Sequence, residues 1–501
     1  MSIERAVLIA GALAAGSAQA QAPLSAVDWL SDRGAAGAQE TGPPRADVAR
    51  TIPVRPVTVT PLGPPDAGAA GVLPASVTGL PRDLWSGSDP SRLLRVIEAL
   101  PRSAVPAIDG LTRTLMLAEA DPPRRASATQ AEALLLARVD LLVERGALDA
   151  ARALLDRAGA RTPERRRRAF DAALLLGDET AACRAVDAAP SSEGDYARRV
   201  FCLLRGGDWS AGALTFDGAR ALGALDPVEQ ALLASFIDEE VAPEPLPRSP
   251  AVPSPLAFRL YDALGHSVPT GDLPVAYARA DLRAVTGWKA QLEAAERLAR
   301  VGAIDPNALL AILTLREPPA SGGVWDRAAA VQALDAALAD GDARAVEAAL
   351  PGAWTAMREG GVLVPLAEAL APRLEGVALD GEAARLARRL ALLTAGYEAA
   401  GGAAEDGFLG AVASGEAPGP QEAGLRAAVA AGFDGGDAPA ELGAMARGGR
   451  LGEALLRAVG SVAAAAEGDL QDLPGALRFL RRAGLEDIAR RAALQLVILE
   501  G

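Results

Sequence analysis

Aromatic residues make up only 4% of this 501-residue chain, although half of it is apolar. Alanine and leucine supply most of the difference, and both lose little side-chain freedom in a helix. Val, Ile, Thr and Tyr thin out after residue 80, which removes the usual material of strands. An all-α chain is therefore expected. His266 is the single histidine, and Lys289 is the single lysine among 50 cationic residues. The arginine bias fits a GC-rich genome better than a chemical demand. One histidine cannot build a His-rich zinc site, and no cysteine stands at ligand spacing to it. Gly265-His266-Ser267 reads as a surface loop. There is no Gly-x-Ser-x-Gly elbow. There is no phosphate loop either, since Lys289 follows Gly287-Trp288. Carboxylates are plentiful, and a paired acid–base site stays open. No enzyme activity, metal or cofactor is expected. The formal charge of −14 opposes nucleic acid, whose binders need a basic face, and anionic membrane surfaces for the same reason.

The first twenty residues have the three segments of a secretory signal. Arg5 is a short positive start, Ala6 to Gly16 is apolar, and Ala18-Gln19-Ala20 is a small-x-small cleavage site. The apolar run is shorter than the ~20 residues that a membrane helix needs, and no later stretch reaches that length. Export through a cleaved signal to the periplasm, or secretion, is expected, with no integral membrane segment afterwards. Residues 21–80 are rich in Pro, Gly and Ala, as in Ile52-Pro53-Val54-Arg55-Pro56-Val57. Proline disfavours helix and favours extended chain, so this stretch reads as a disordered tether.

From Leu84 onward the apolar spacing turns helical. Ser88-Asp89-Pro90 opens a helix with Leu93, Ile97 and Leu100 on one face. Leu135, Val139 and Leu142 lead to the turn Glu144-Arg145-Gly146, and Leu148, Ala151, Leu155 and Ala158 carry the return. Similar turns follow at Gly177 and Gly207, at spacings of 31 and 30 residues, about one helical hairpin. More diverged turns stand at Gly302, Gly341, Gly449 and Gly484. A period of this size marks stacked repeats, in which hairpins too small to be stable alone share one core.

Gly146, Ala151, Leu155, Ala158 and Pro163 stand in the order of the tetratricopeptide-repeat pattern, which this stretch resembles. Gly177, Ala182, Val186 and Ala189 match it without the proline; Gly207, Phe216 and Ala219 match it with Gly212 in place of an alanine. The family's aromatic residue in the first helix is missing. The resemblance is best over residues 131–220. It implies a right-handed α-solenoid of antiparallel helical hairpins with a concave, protein-binding face. The proline-dense segment 241–255 reads as a linker between an N-terminal helical repeat domain, 81–240, and a C-terminal one, 256–501. Glu317 to Gly323 and Gly401 to Pro420 read as further loops. The last amphipathic helix, from Leu485 through Ile488, Ala492 and Leu496, is expected to close the array.

The midpoint between the two cysteines, Cys183 and Cys202, falls in the predicted loop Pro190 to Gly194. The pair would thus sit level on antiparallel helices, where a disulfide is feasible and an oxidising compartment would form it. The run Arg165, Arg166, Arg167 and Arg168 follows the helix start Thr162-Pro163-Glu164. It reads as a solvated first turn or as a small anionic docking patch. Trp288, Arg297, Trp325 and Arg327 are kept as a candidate binding groove. The leading expectation is a periplasmic scaffold or adaptor for other envelope proteins of flagellar, wall, outer-membrane or secretion machinery. The alternative is a helical-repeat enzyme of the lytic glycosidase type acting on cell wall.

Overall fold

The computed structural model describes residues 67–187, 194–238 and 246–500. The expected signal sequence, most of the tether and the loop Pro190 to Gly194 up to residue 193 lie outside them. So does Ala189. Among the described residues there are 25 α-helices and no β-strand, only one isolated bridge between Leu73 and Ala118.

The helices of eight residues or more run in this order. First come α1 (Pro90–Glu98), α2 (Pro106–Leu117), α3 (Ala128–Glu144), α4 (Leu148–Ala158), α5 (Pro163–Leu175), α6 (Glu179–Asp187), α7 (Tyr196–Arg205) and α8 (Trp209–Ala221). Next are α9 (Pro227–Ile237), α10 (Pro255–Ala263), α11 (Trp288–Arg300), α12 (Pro306–Leu313), α13 (Val324–Asp340), α14 (Ala343–Glu359) and α15 (Leu363–Leu374). The last are α16 (Gly381–Leu392), α17 (Gly407–Ser414), α18 (Gly424–Phe433), α19 (Ala440–Arg447), α20 (Leu451–Ala466), α21 (Leu473–Arg482) and α22 (Glu486–Glu500). Much of the proline serves these starts. Pro90, Pro163, Pro227, Pro255 and Pro306 each stand at a first helical position. The side chains of Asp89, Thr162, Asp226, Ser254 and Asp305 before them accept from first-turn N–H groups. A proline there loses nothing, because that N–H has no helical partner.

The hairpin turns share one mechanism. Gly146, Gly177 and Gly207 have φ of 72°, 79° and 86°. At each, the glycine N–H returns to the carbonyl three residues back and the next N–H to the carbonyl five back, as in Gly146 to Val143 and Ala147 to Leu142. This satisfies helix-end carbonyls and reverses the chain. Gly302, Gly449 and Gly484 repeat the pattern. Gly212, which replaces a repeat alanine, sits where an added Cβ would lie 2.6 Å from Leu204 Cδ2; even a methyl group needs a shift there.

Hairpins α3–α4, α5–α6 and α7–α8 pack side by side. The chain then turns back: α9 packs on α7, α10 on α5, and the 3-10 turn Val275–Tyr277 on α3. The first helices of the three hairpins are thus covered, in reverse order, by the protein's own next segment. Residues 62–501 form one unit, and the proline-dense segment 241–255 does not divide it into separate cores. Leu232 and Leu233 on α9 share a cluster with Leu256 and Leu260 on α10, on the far side of it. The expected tether is shorter than 21–80, because Ala70 and Leu80 are buried. The expected loop Gly401 to Pro420 contains α17, whose Phe408, Leu409, Val412 and Ala413 are buried.

The largest core joins both ends of the unit. It runs from Ala70 to Ala158 and resumes from Trp288 to Ile498. Helix α2 packs on α20 and α22, and α1 on α20. In an open repeat array each hairpin touches only its neighbours; here the helix contacts close on themselves. Gln495 Oε1 accepts from Ala107 N at 2.8 Å across 388 residues. Gly87 N donates to Gly449 O at 2.8 Å, and Gly452 N to Leu84 O at 3.0 Å. Two glycines permit this approach: a Cβ on Gly87 would meet Gly448 O at 2.0 Å, and one on Gly452 would meet the Trp85 ring at 2.2 Å.

Candidate interaction surface

Each of the four consecutive arginines makes contacts within the molecule, and one of them is buried. Arg165 is buried; it pairs with Glu132 and donates to Ala158 O and Gly159 O. Arg168 makes a two-pronged contact with Asp140 at 2.6 and 2.7 Å. Arg167 reaches Asp195 at 3.2 Å, and Arg166 donates to Ala160 O. The cause is the helix period. Arg165 points into the junction of α3, α4 and α5, Arg168 meets an acid on α3, and Arg167 meets one just before α7. Arg165 is thus withdrawn from the surface, while Arg166, Arg167 and Arg168 stay at it, each with a partner. For Glu132, burial raises the carboxyl affinity for protons, but the bonds from Arg165 and Thr162 outweigh it and hold the group below the usual range.

Trp288 and Trp325 do meet, with ring centroids 5.0 Å apart. Trp288 is buried and donates from Nε1 to Ile312 O at 2.9 Å. The two arginines do not join them in one groove. Arg327 pairs with the buried Glu296, while Arg297 donates to Thr270 O and Leu273 O at 2.6 Å. Arg297 instead lines a cleft of about 560 Å³ with Asp262, Asp281 and Arg283. His266 is exposed in the loop after α10. Cys183 on α6 and Cys202 on α7 stand at disulfide distance, with Cα atoms 5.3 Å apart.

Beneath the returning segment lies a polar cluster that sequence reasoning missed. Arg198 on α7 bridges Asp171 on α5 at 3.1 Å and Asp195 at 2.9 Å. Ser254 donates to Glu229 at 2.7 Å. Burial pushes both Asp171 and Glu229 up, against the pull of Arg198. Tyr277 donates to Pro253 O, and burial takes its hydroxyl to about 12. These bonds brace the hairpins and the segment each within itself, and Arg259 on α10 ties the two together through Glu179 on α6 at 2.7 Å.

Where the ends of the unit meet, a cleft of about 590 Å³ lies between α2, the start of α12, α15 and α22. Its walls are small or rigid: Ala107 and Gly110 on α2, Ala303 and Pro306 at α12, Pro365 on α15. Charge sits on both sides. Arg113 donates to Val301 O at 3.1 Å, and burial lowers its pKa while the Asp109 charge resists. Arg491 pairs with Glu368 at 3.0 Å, but its Nε is buried and has no hydrogen-bond partner. A buried donor without a partner is costly. The cleft therefore offers two guanidiniums, Arg113 and Arg491, beside the Glu368 carboxylate. Its lining comes from positions 106 to 491, so no local spacing in the sequence could reveal it.

No protein-family model matches the chain, and no match is found among curated proteins or solved structures. Among the described residues no group of three or more His, Cys, Asp or Glu could hold a metal ion. None of the helices there is long and apolar enough to cross a membrane.

Proposed function

We propose that this is an exported helical-repeat scaffold of the periplasm that holds a segment of another envelope protein in the cleft between α2, α12, α15 and α22. The observation that carries this reading is a cleft in which Ala107, Gly110, Ala303 and Pro365 leave room beside Arg113 and the Arg491–Glu368 ion pair. The small residues admit an extended backbone, whose carbonyls and N–H groups can meet the guanidiniums and the carboxylate. The regular hairpins with Gly146, Gly177 and Gly207 at their turns support kinship with tetratricopeptide-like solenoids. The paired Cys183 and Cys202 fit an oxidising compartment, as does the signal-like start. The partners are flagellar, wall-assembly, outer-membrane or secretion proteins.

A photocrosslinking residue at Thr114, which lines the cleft, tests this in cells. Crosslinking should capture one defined envelope protein. The capture should vanish when Gly110→Trp fills the cleft, since a Cβ there meets nothing within 4 Å, and the helical circular dichroism should stay unchanged. Capture that survives Gly110→Trp would remove the cleft from the proposal. A product retained in the cytosol with residues 1–20 uncleaved would remove the envelope.

A further inference from the structure

Three of the larger clefts leave no lining guanidinium without a bond. Arg113 and Arg491, in the cleft between α2 and α22, reach Val301 O and Glu368. Arg283 and Arg297, in the cleft beside α11, reach Asp262 and two carbonyls. In a cleft of about 740 Å³ between α19, α20 and α21, Arg457 pairs with Glu441 and Arg478 with Asp434. A smaller pocket, of about 260 Å³ between α16 and the start of α17, differs. Arg385, Arg388 and Arg389 of α16 all line it. Arg388 pairs with Glu405, but Arg385 and Arg389 are exposed and have no partner among the described residues. Both carboxylates of the pocket are already engaged. Glu405 is held by Arg388, while Asp406 binds Arg426 at 2.6 Å and caps α17 by accepting from Phe408 N at 3.0 Å. Two positive charges are therefore left without a counter-charge at one pocket of a chain whose formal charge is −14.

We infer that this pocket binds the dianionic head of a small phosphate monoester. Arg385 and Arg389 are four apart on one helix, so their side chains are neighbours on its surface. Each guanidinium presents a rigid fork of N–H donors that suits phosphate oxygens. A phosphate monoester carries a charge of roughly −1.5 to −2 at neutral pH on three acceptor oxygens, which matches two unpaired cations. A carboxylate or a sulfate ester carries a single charge and would leave one arginine unmatched. Leu392 and Leu409 also line the pocket and offer apolar surface to the organic part of the ester. The volume is below the ~300 Å³ at which sites for drug-sized ligands begin, so the ligand is small. The overall negative charge of the chain repels anionic membrane surfaces and nucleic acid, and this selects a free solute as the source of the phosphate. The pocket shares no lining residue with the cleft between α2, α12, α15 and α22, so the inference does not rest on the scaffold reading.

Titration calorimetry of the purified chain with phenyl phosphate at low ionic strength should show one saturable site. Its affinity should be at least about tenfold higher than for phenyl sulfate, a monoanion of the same shape, because the second charge meets the second guanidinium. Arg385→Gln with Arg389→Gln should abolish the binding. Arg124→Gln with Arg125→Gln, which removes the same charge at two exposed positions outside the pocket, should leave it unchanged. Helical circular dichroism confirms that each variant folds. Absence of saturation would overturn the inference, as would equal affinity for the two esters or binding that survives the loss of Arg385 and Arg389. Vesicles carrying phosphatidic acid present the same head group on a lipid; capture of the chain by these vesicles without binding of phenyl phosphate would overturn the assignment to a free solute.

Discussion

The three regular hairpins and the junction that closes the unit solve the same packing problem by different means. In the hairpins, contacts are local: each turn glycine reverses the chain, and alanine or Gly212 lets the next helix approach. Around the junction, polar groups are taken out of water, within its N-terminal side at Arg145 and Arg138 and across it at Arg92 and Glu453. Arg145 pairs with Asp109, both nearly fully buried. Glu453 is wholly buried beside Arg92 at 3.0 Å. Arg138, also buried, has no acid; it donates to Met116 O, Ala70 O and Ala118 O at 2.8 to 2.9 Å, and burial brings its pKa down to about 10. Apolar stacking tolerates substitution, whereas a buried charge fails if one partner is removed. The comparison teaches that the regular region rests on repeated local contacts, with buried charge at Arg165 and Asp171, and the closing region on contacts between segments far apart in sequence.

The largest test is at α2, on the N-terminal side of the junction. Asp109→Ala strands Arg145 and should cost about 3–5 kcal/mol, read from denaturant unfolding. A double replacement of Asp109 and Arg145 by apolar residues should recover most of it; no recovery would mean that the pair does more than neutralise itself. In the hairpins the largest single effect should come from Cys183→Ala with Cys202→Ala. Opening a cross-link that spans 19 residues should cost about 3 kcal/mol on the chain-entropy model.

Glu132→Gln should cost about 1–2 kcal/mol at neutral pH, within the range for hydrogen bonds to charged groups. The carboxyl is held below its usual range in the fold. The stability it adds is therefore full above the unfolded value of about 4.3 and disappears as pH falls through the lower folded value. Wild type and variant should converge in acid; a gap that widens there would reverse the sign. Thr162→Ala should be the smallest effect, about 1 kcal/mol for a lost helix cap, with Thr162→Ser close to neutral.

What is legible in the sequence follows the same division. Local chemistry can be read. The turn glycines, the Thr162 cap, the all-helical composition and the register of Cys183 against Cys202 depend on a few neighbouring residues. Arg165 escapes a local reading because its burial depends on Glu132, a helix away. Trp288 meets Trp325 as expected, but Arg297 and Arg327 are drawn off by carbonyls and by Glu296. Segment 241–255 looks like a linker because proline forbids helix. Nothing in its spacing shows that Pro247 O and Pro253 O accept from Tyr261 and Tyr277. Gly87 and Gly452 look ordinary in sequence, and only the meeting of α1 with α20 shows why no side chain fits there.

The bond between Ala107 and Gln495 also sets a schedule. A ribosome makes position 107 long before position 495, so the first core cannot be completed until nearly the whole chain has emerged. Until then α2 has a bare apolar side and a buried-to-be amide without its acceptor. Such a chain stays open until late in synthesis, which gives a chaperone time to hold it before it shuts.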